Sequence, residues 1–223
     1  MKKIAFDIET LGFEIDSFDN VQQEYLTKYC ENEIDVEKVK FDLSLWAPTS
    51  RVLAIAIYNP DTEGGKVFYQ SDLNESFNSA NGKVEFSTGD EKYILTEFWN
   101  IVKSFDQVIT FNGRGFDAPF LIIRSAILGV PISKNLMPYR YDQKIHCDLL
   151  DQLSFYGATR KFNLDFFCKT FGIESPKSHG ITGMNMKELV EKKMFREIAK
   201  YCLDDTIATA KLHQIMETNN FFK

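Results

Sequence analysis

Cysteine is sparse and scattered in this chain. Cys30, Cys147, Cys168 and Cys202 stand far apart and form no CxxC pair, which excludes the usual zinc and redox spacings and fits four reduced thiols in a cytoplasmic protein. Long apolar runs are missing as well. Met1-Lys2-Lys3 leads into Ile4-Ala5-Phe6-Asp7-Ile8-Glu9, so two acids arrive before the apolar core of a signal peptide could form, and nothing later approaches a membrane span. No internal repeat or low-complexity tract is visible. Positive charge is also in deficit: 26 Lys and Arg stand against 32 Asp and Glu, a net charge of −6. That balance argues at first against a nucleic-acid partner, because a polyanion is usually met by a basic surface.

The objection weakens once the charge is mapped. Residues 1–129 carry 12 basic and 21 acidic side chains, whereas residues 130–200 carry 12 basic and 8 acidic. Carboxylates that hold divalent cations also count as negative in a sequence while being neutralised in the working protein. What the chain has in quantity is apolar and aromatic residues, 44% and 14% of its 223 positions, enough to bury the core of one domain.

Lys3 to Ile8, Arg51 to Tyr58 and Lys66 to Tyr69 read as three strands, the last two joined across Gly64-Gly65, and together suggest an antiparallel meander. Between the first two lies an acidic, aromatic stretch from about residue 12 to 50, with a possible helix near Val21 to Tyr29 and no clear period elsewhere. Glu91 to Phe105 places apolar residues at helical spacing. Val108 to Phe111 is a short buried strand, Asn112-Gly113-Arg114-Gly115 a turn, and Asp117 to Leu128 a helix closed by Gly129. Ile145 to Leu150 reads as a fifth strand, followed by helices near Leu164 to Phe171 and Lys193 to Met216. A meander followed by alternating helices and strands implies an α/β fold with a five-stranded mixed sheet flanked by helices.

Three groups of residues carry chemistry. Asp7 and Glu9 are two apart on a strand, so their carboxylates share a face and can approach one cation; oxygen donors of this kind suit magnesium or manganese. The plainer reading is a pair of solvent-facing acids. Asp117 opens a helix beyond a strand and a glycine turn, where an N-cap is the plainer reading. Tyr201 and Asp205 are four apart and share one face of the last helix, whereas Asp204 points elsewhere.

Taken together, Phe6-Asp-Ile-Glu-Thr10, Phe111-Asn-Gly-Arg-Gly-Phe-Asp117 and Tyr201-Cys-Leu-Asp-Asp205 resemble, in order, the three exonuclease motifs of the DEDD nuclease superfamily. The resemblance is to the tyrosine subclass, and to stand-alone exonucleases related to the proofreading domain of family B DNA polymerases. The histidine subclass would place His where Lys200 stands. The match runs from Lys3 to about Leu212, within one exonuclease domain over 1–223. It implies an RNase H-like fold and 3′-5′ hydrolysis of single-stranded nucleic acid, DNA before RNA, by a two-metal mechanism that releases nucleoside monophosphates.

By the same resemblance, Asp7, Glu9 and Asp205 would hold one Mg2+ or Mn2+ ion, Asp7 would bridge to a second, and Asp117 would support that second ion. Tyr201 would orient the attacking water. Thr10 and Leu11 would line the site of the terminal nucleotide, Asn112 and Phe116 would contact the strand, and Lys177 would meet the scissile phosphate. His146 and Asp148 read better as hydrogen-bonding residues at a strand end. Phe221 and Phe222 suit packing or a loose tail. Because only 18 residues follow Asp205, no polymerase domain is expected in the same chain.

Two other classes compete with this reading. Gly113-Arg-Gly115-Phe-Asp-Ala118 fits a GxGxxA dinucleotide fingerprint, but such a site needs an acid about 20 residues further on, and Val130 to Tyr141 has none. A nuclease-like module that binds without cutting would keep the fold and is expected to have lost at least one of the four acids or the tyrosine, all of which are present.

Overall fold

In the computed structural model, which describes residues 1–174 and 185–222, β1 (Lys3–Gly12) is the axis of the sheet. It pairs antiparallel with β2 (Ser50–Asn59) and parallel with β6 (Gln107–Thr110). A central strand is covered on both faces, which explains the nearly unbroken burial of Ile4, Ala5, Phe6 and Ile8. The register with β2 slips between Glu9 and Thr10, so a bulge follows the second acid. Bulges bend a strand and re-aim its side chains.

β2 continues antiparallel into β3 (Gly64–Tyr69), which completes the expected meander, and β7 (His146–Asp148) adds parallel to β6. The sheet has seven strands, not five. β5 (Val84–Thr88) pairs parallel with β3, and β4 (Ser76–Asn78) pairs antiparallel with β5, giving the order β4-β5-β3-β2-β1-β6-β7. The two added strands are short and set among Ser, Asn and Gly. Their clearest tertiary bond is the stacked pair Phe77 and Phe86, 4.8 Å between ring centroids, with the guanidinium of Arg196 over Phe77. The segment expected as a strand from Ile145 to Leu150 is strand only to Asp148; its side chain then accepts from the backbone N–H groups of Leu150 and Asp151 and starts α5 (Leu149–Leu153).

Alternation along the strands sorts the layers. Ile4, Phe6 and Ile8 face α3 (Glu91–Val102) and α4 (Asp117–Leu128), in a core with Phe98, Trp99 and Leu121. The opposite face carries Ala5, Asp7 and Glu9 and is covered by α6 (Leu164–Thr170), α7 (Met186–Glu191) and the long α8 (Phe195–Thr218). α8 packs across β2, β1, β3 and β6. Its small residues Ala199, Cys202, Ala208 and Ala210 are buried, which lets the helix lie close on the strands.

The stretch from 12 to 50 contains two helices, α1 (Asn20–Thr27) and α2 (Glu33–Asp42), neither with a buried residue. Local capping starts each of them: Asp19 and Gln22 form a reciprocal capping box, and Asn32 accepts from Asp35 N–H. The sequence hides α2 because no apolar stripe faces a core. The segment is held instead at its end, where Leu43 and Ala47 are 1% and 3% exposed. A buried ion pair adds to that anchor. Arg124 meets both oxygens of Glu91 at 2.7 and 2.9 Å and lies over the Phe13 ring, while Glu91 Oε1 also accepts from Val52 N–H. Among the described residues, no helix is long and apolar enough to cross a membrane.

Candidate active site

Asp7 and Glu9 project from β1 toward α8, where Tyr201 and Asp205 stand one turn apart. Carboxylate oxygens of Asp7, Glu9 and Asp205 all lie within 4.8 Å of one another. Strand period and helix period thus converge on one point. Glu9, Asp117 and Tyr201 are buried, at 8%, 3% and 7% exposure.

Asp117 occupies the first turn of α4, but it does not act as the N-cap. The preceding residue, Phe116, takes that position and offers no side-chain cap. The Asp117 carboxylate turns instead to the sheet, where Oδ1 accepts from Ile8 N–H at 3.2 Å. That bond ties the second motif to the strand between Asp7 and Glu9. The plain capping interpretation of Asp117 is therefore overturned by where its oxygens point.

Such a cluster is electrostatically costly by itself. Burial first, then repulsion from Asp117, Asp205 and Glu9, pushes the Asp7 carboxyl well above the usual range; burial and then Asp205 and Asp117 do the same to Glu9. Asp117 is pushed up to about 7, chiefly by burial. Buried like charges are retained when a cation compensates them or when protons neutralise them. An all-oxygen donor set at this spacing fits a hard divalent cation, Mg2+ or Mn2+, better than zinc. Cys202 adds a thiol against Asp7, with Sγ 3.4 Å from its carbonyl oxygen; burial pushes that thiol up, so it packs as a neutral group. The Tyr201 phenol is likewise driven above its ordinary range by burial and by Asp205, to which it is hydrogen-bonded. It keeps its proton.

The turn between β6 and α4 is set by Asp148. Its carboxylate accepts from Asn112 N–H at 2.9 Å and from Arg114 N–H at 2.8 Å, and Asn112 is held at φ 63°. A Cβ on Gly113 would stand 2.3 Å from Thr110 Oγ1, so only glycine lets the turn sit on the strand end. His146 braces that threonine: Thr110 Oγ1 is 2.7 Å from Nε2, and Nδ1 is 2.7 Å from Leu136 O. Since the carbonyl can only accept, Nδ1 carries the proton and Nε2 accepts from the hydroxyl. Burial lowers the His146 pKa and keeps the ring neutral. Both residues behave as the expected strand-end hydrogen-bonding pair. The same bonds remove the dinucleotide alternative, because the N–H groups of Asn112 and Arg114 are already taken by a carboxylate.

A cleft of about 450 Å³ opens over Asp7, Tyr201 and Asp205 and includes Asn112 on its wall. Leu11 lies in a separate groove of about 240 Å³ with Thr10, Phe13 and Phe41. The Thr10 hydroxyl is committed to Ser44 O at 2.7 Å, so it braces the inserted segment. Phe116 is not on the cleft wall; its ring packs on Phe120 and the core beneath. Lys177 lies outside the described residues. Sequence reasoning missed Lys161, Phe162 and Asn163, which line the cleft opposite the carboxylates. The only linear signal for them is a basic pair, Arg160-Lys161, ahead of an aromatic residue.

Comparison with known proteins follows this geometry. Over 204 residues the chain is 22% identical to DNA polymerase 1 of Sulfolobus acidocaldarius, covering 82% of this chain and 23% of that polymerase. The chain therefore spans about a quarter of that curated relative. The family B DNA polymerase of the hyperthermophilic archaeon Pyrobaculum calidifontis superposes with a TM-score of 0.62 at 19% identity, over 97% of this chain and 24% of that one. The fold is accordingly similar to the RNase H-like fold of the family B polymerase exonuclease domain, with seven strands in the sheet here. A family model described as a predicted 3′-5′ exonuclease related to the exonuclease domain of PolB matches residues 45–218, a span that holds Asp117, Tyr201 and Asp205 and starts after Asp7 and Glu9. By that match over most of its length, the chain belongs to this family of predicted exonucleases related to the PolB exonuclease domain.

Proposed function

We propose that this protein is a metal-dependent 3′-5′ exonuclease that removes nucleoside monophosphates from the 3′ end of single-stranded DNA, with residues 1–223 acting as one exonuclease domain. The observation that carries the reading is the convergence of Asp7, Glu9 and Asp205 within 4.8 Å, with Asp117 close enough to repel Asp7, and with Asp7, Asp205 and Tyr201 lining an open cleft. Asp7, Glu9 and Asp205 would hold one divalent cation in this scheme, and Asp7 and Asp117 would hold a second. When bound, two such ions supply charge neutralisation at the scissile phosphate, acidity for the attacking water and stabilisation of the leaving oxygen.

The chain's own groups do the rest. Tyr201 remains a phenol at neutral pH and orients the water by hydrogen bond, its position fixed by Asp205. Asp117, anchored on Ile8 N–H, keeps the second motif in register with the strand that bears Asp7 and Glu9. Asn112, presented by the turn that Asp148 holds, faces the cleft where the terminal nucleotide would lie.

The test is incubation of the purified protein with 5′-labelled single-stranded DNA and RNA, with Mg2+ or Mn2+ and with chelator. A metal-dependent ladder that shortens from the 3′ end is expected, faster on DNA. Asp7→Ala and Asp205→Ala should each slow it by about three orders of magnitude, since the ions contribute several kcal/mol to the transition state. Substrates left intact with both metals would overturn the enzyme reading, a ladder on RNA alone would move the substrate to RNA, and near-normal rates in either variant would overturn the assigned site.

A further inference from the structure

One wall of the cleft is unlike the others. Asp7 and Asp205 line its carboxylate part, and among the described residues Lys161 is the cation that lines it, with Asp165 as a third acid. Lys161 follows Arg160, and both side chains are exposed and form no ion pair among the described residues. That sets them apart from neighbouring cations. Lys169 is held by Asp165, Arg140 by Asp151 and Lys187 by Glu14.

The aromatic next in sequence is organised as well. Phe162 stacks on Phe166 with centroids 4.4 Å apart and planes 14° apart, and the Arg160 guanidinium lies over the Phe162 ring at 5.0 Å. Phe167 closes the edge of Phe162 at 5.9 Å, so the stack is seated on α6 and is not a loose tip. Phe166 remains half exposed. A guanidinium and two rings in one column give a platform of flat faces flanked by unpaired positive charge, at the mouth of a cleft whose floor is anionic.

We propose that Arg160, Lys161 and the Phe162–Phe166 stack form a strand-binding subsite for an unpaired polynucleotide, with the two cations on backbone phosphates and the stacked column against a base. The proposal rests on reading the cleft as a nucleic-acid site. Its physical logic is independent of base identity: phosphates respond to charge and every base has a flat face, so the subsite favours single strands without selecting sequence.

The test measures binding apart from cutting. Phosphorothioate-linked single-stranded DNA and RNA, fluorescently labelled, are titrated with the full chain in Mg2+ at several salt concentrations and followed by anisotropy. Loss of two phosphate contacts in R160A/K161A should weaken Kd about tenfold and flatten the log Kd against log salt slope by about 1.4. Phe166→Leu, which keeps the packing volume and loses the exposed flat face at the end of the column, should weaken Kd severalfold with the slope unchanged. Lys92→Ala, on α3 across the sheet, should change neither. If R160A/K161A binds with the wild-type Kd and slope, the subsite is overturned while a ladder on unmodified strands leaves the exonuclease reading standing. If the wild type binds no strand, both fall. Wild-type binding that needs Arg160 and Lys161, without any ladder, upholds the subsite and rejects the exonuclease.

Discussion

A site assembled from buried carboxylates should destabilise the protein that carries it until a cation arrives, and Asp117→Asn isolates that effect. Asp117 is 3% exposed and its carboxyl is pushed from 3.8 to about 7, chiefly by burial. Lifting a carboxyl that far means its charged form costs on the order of 4 kcal/mol more in the fold than in water. The sign follows from proton counting. Between the ordinary value and about 7 the folded chain binds more protons than the unfolded one, so metal-free stability falls as pH rises through that window and is level above it. Asn is isosteric and uncharged, and its Oδ1 still accepts from Ile8 N–H; the bond that Asp117 also takes from its own backbone N–H is worth about 1 kcal/mol.

The expected gain is therefore about 3 kcal/mol at about pH 8 in chelator, or roughly 6–12 °C in Tm for a chain of this size, shrinking toward zero at about pH 4. Saturating Mg2+ should close most of that margin, since a ligand at a hundredfold its Kd adds about 2.7 kcal/mol to a wild type that binds it and less to the variant. Differential scanning fluorimetry across pH, with and without Mg2+, reads all of this. A variant that melts below wild type at about pH 8 in chelator, or one with the same margin at both ends of the pH range, would refute the account of strain in the cluster.

Two further outcomes are expected. Tyr201→Phe should lower kcat by about a hundredfold while leaving the melting curve nearly unchanged, and the wild-type pH–rate profile should show no phenol limb near neutrality, because burial and Asp205 hold the proton on Tyr201. A limb near pH 7 lost in the phenylalanine variant would make the phenol a base and contradict that role. Glu91→Gln should cost about 3 kcal/mol in urea unfolding, since it leaves the Arg124 guanidinium buried without its charge partner; a loss below about 1 kcal/mol would mean the pair does not anchor the inserted segment.

What could be read from the sequence followed burial. β1, β2 and β3 were legible because the strands that become the middle of the sheet are apolar on both faces, and α3 because Ile94, Leu95, Phe98 and Val102 mark one buried stripe. β4 and β5 escaped notice because they sit at an edge, where Phe77, Val84 and Phe86 are enough to pair and the rest is Ser, Asn, Glu and Thr. α1 was legible in outline, near Val21 to Tyr29, whereas α2 escaped for the opposite reason: Ile34 and Phe41 are apolar but exposed, so no polar face contrasts with a buried one. The carboxylates were legible through the strand and helix periods that bring Asp7, Glu9 and Asp205 together. Asp148 was legible as a hydrogen-bonding residue at a strand end, but its partners, two backbone N–H groups of the Asn112 turn, were not, since that relation exists only once β6 and β7 are paired.

The distribution of charge links these observations to function. A net charge of −6 looks unsuited to a polyanion, yet the cleft is not uniformly acidic: Asp7 and Asp205 line it as part of the carboxylate cluster, whereas Lys161 stands on its wall with Asp165, and Arg160 precedes it in the chain. Compensation of the floor by divalent ions would turn a repulsive pocket into one that attracts phosphate, while the wall does not change sign. The strand would then be held by metal at its end and by side chains along its length. Salt should consequently weaken strand binding through the wall contacts, and chelator should abolish cutting without abolishing that salt dependence.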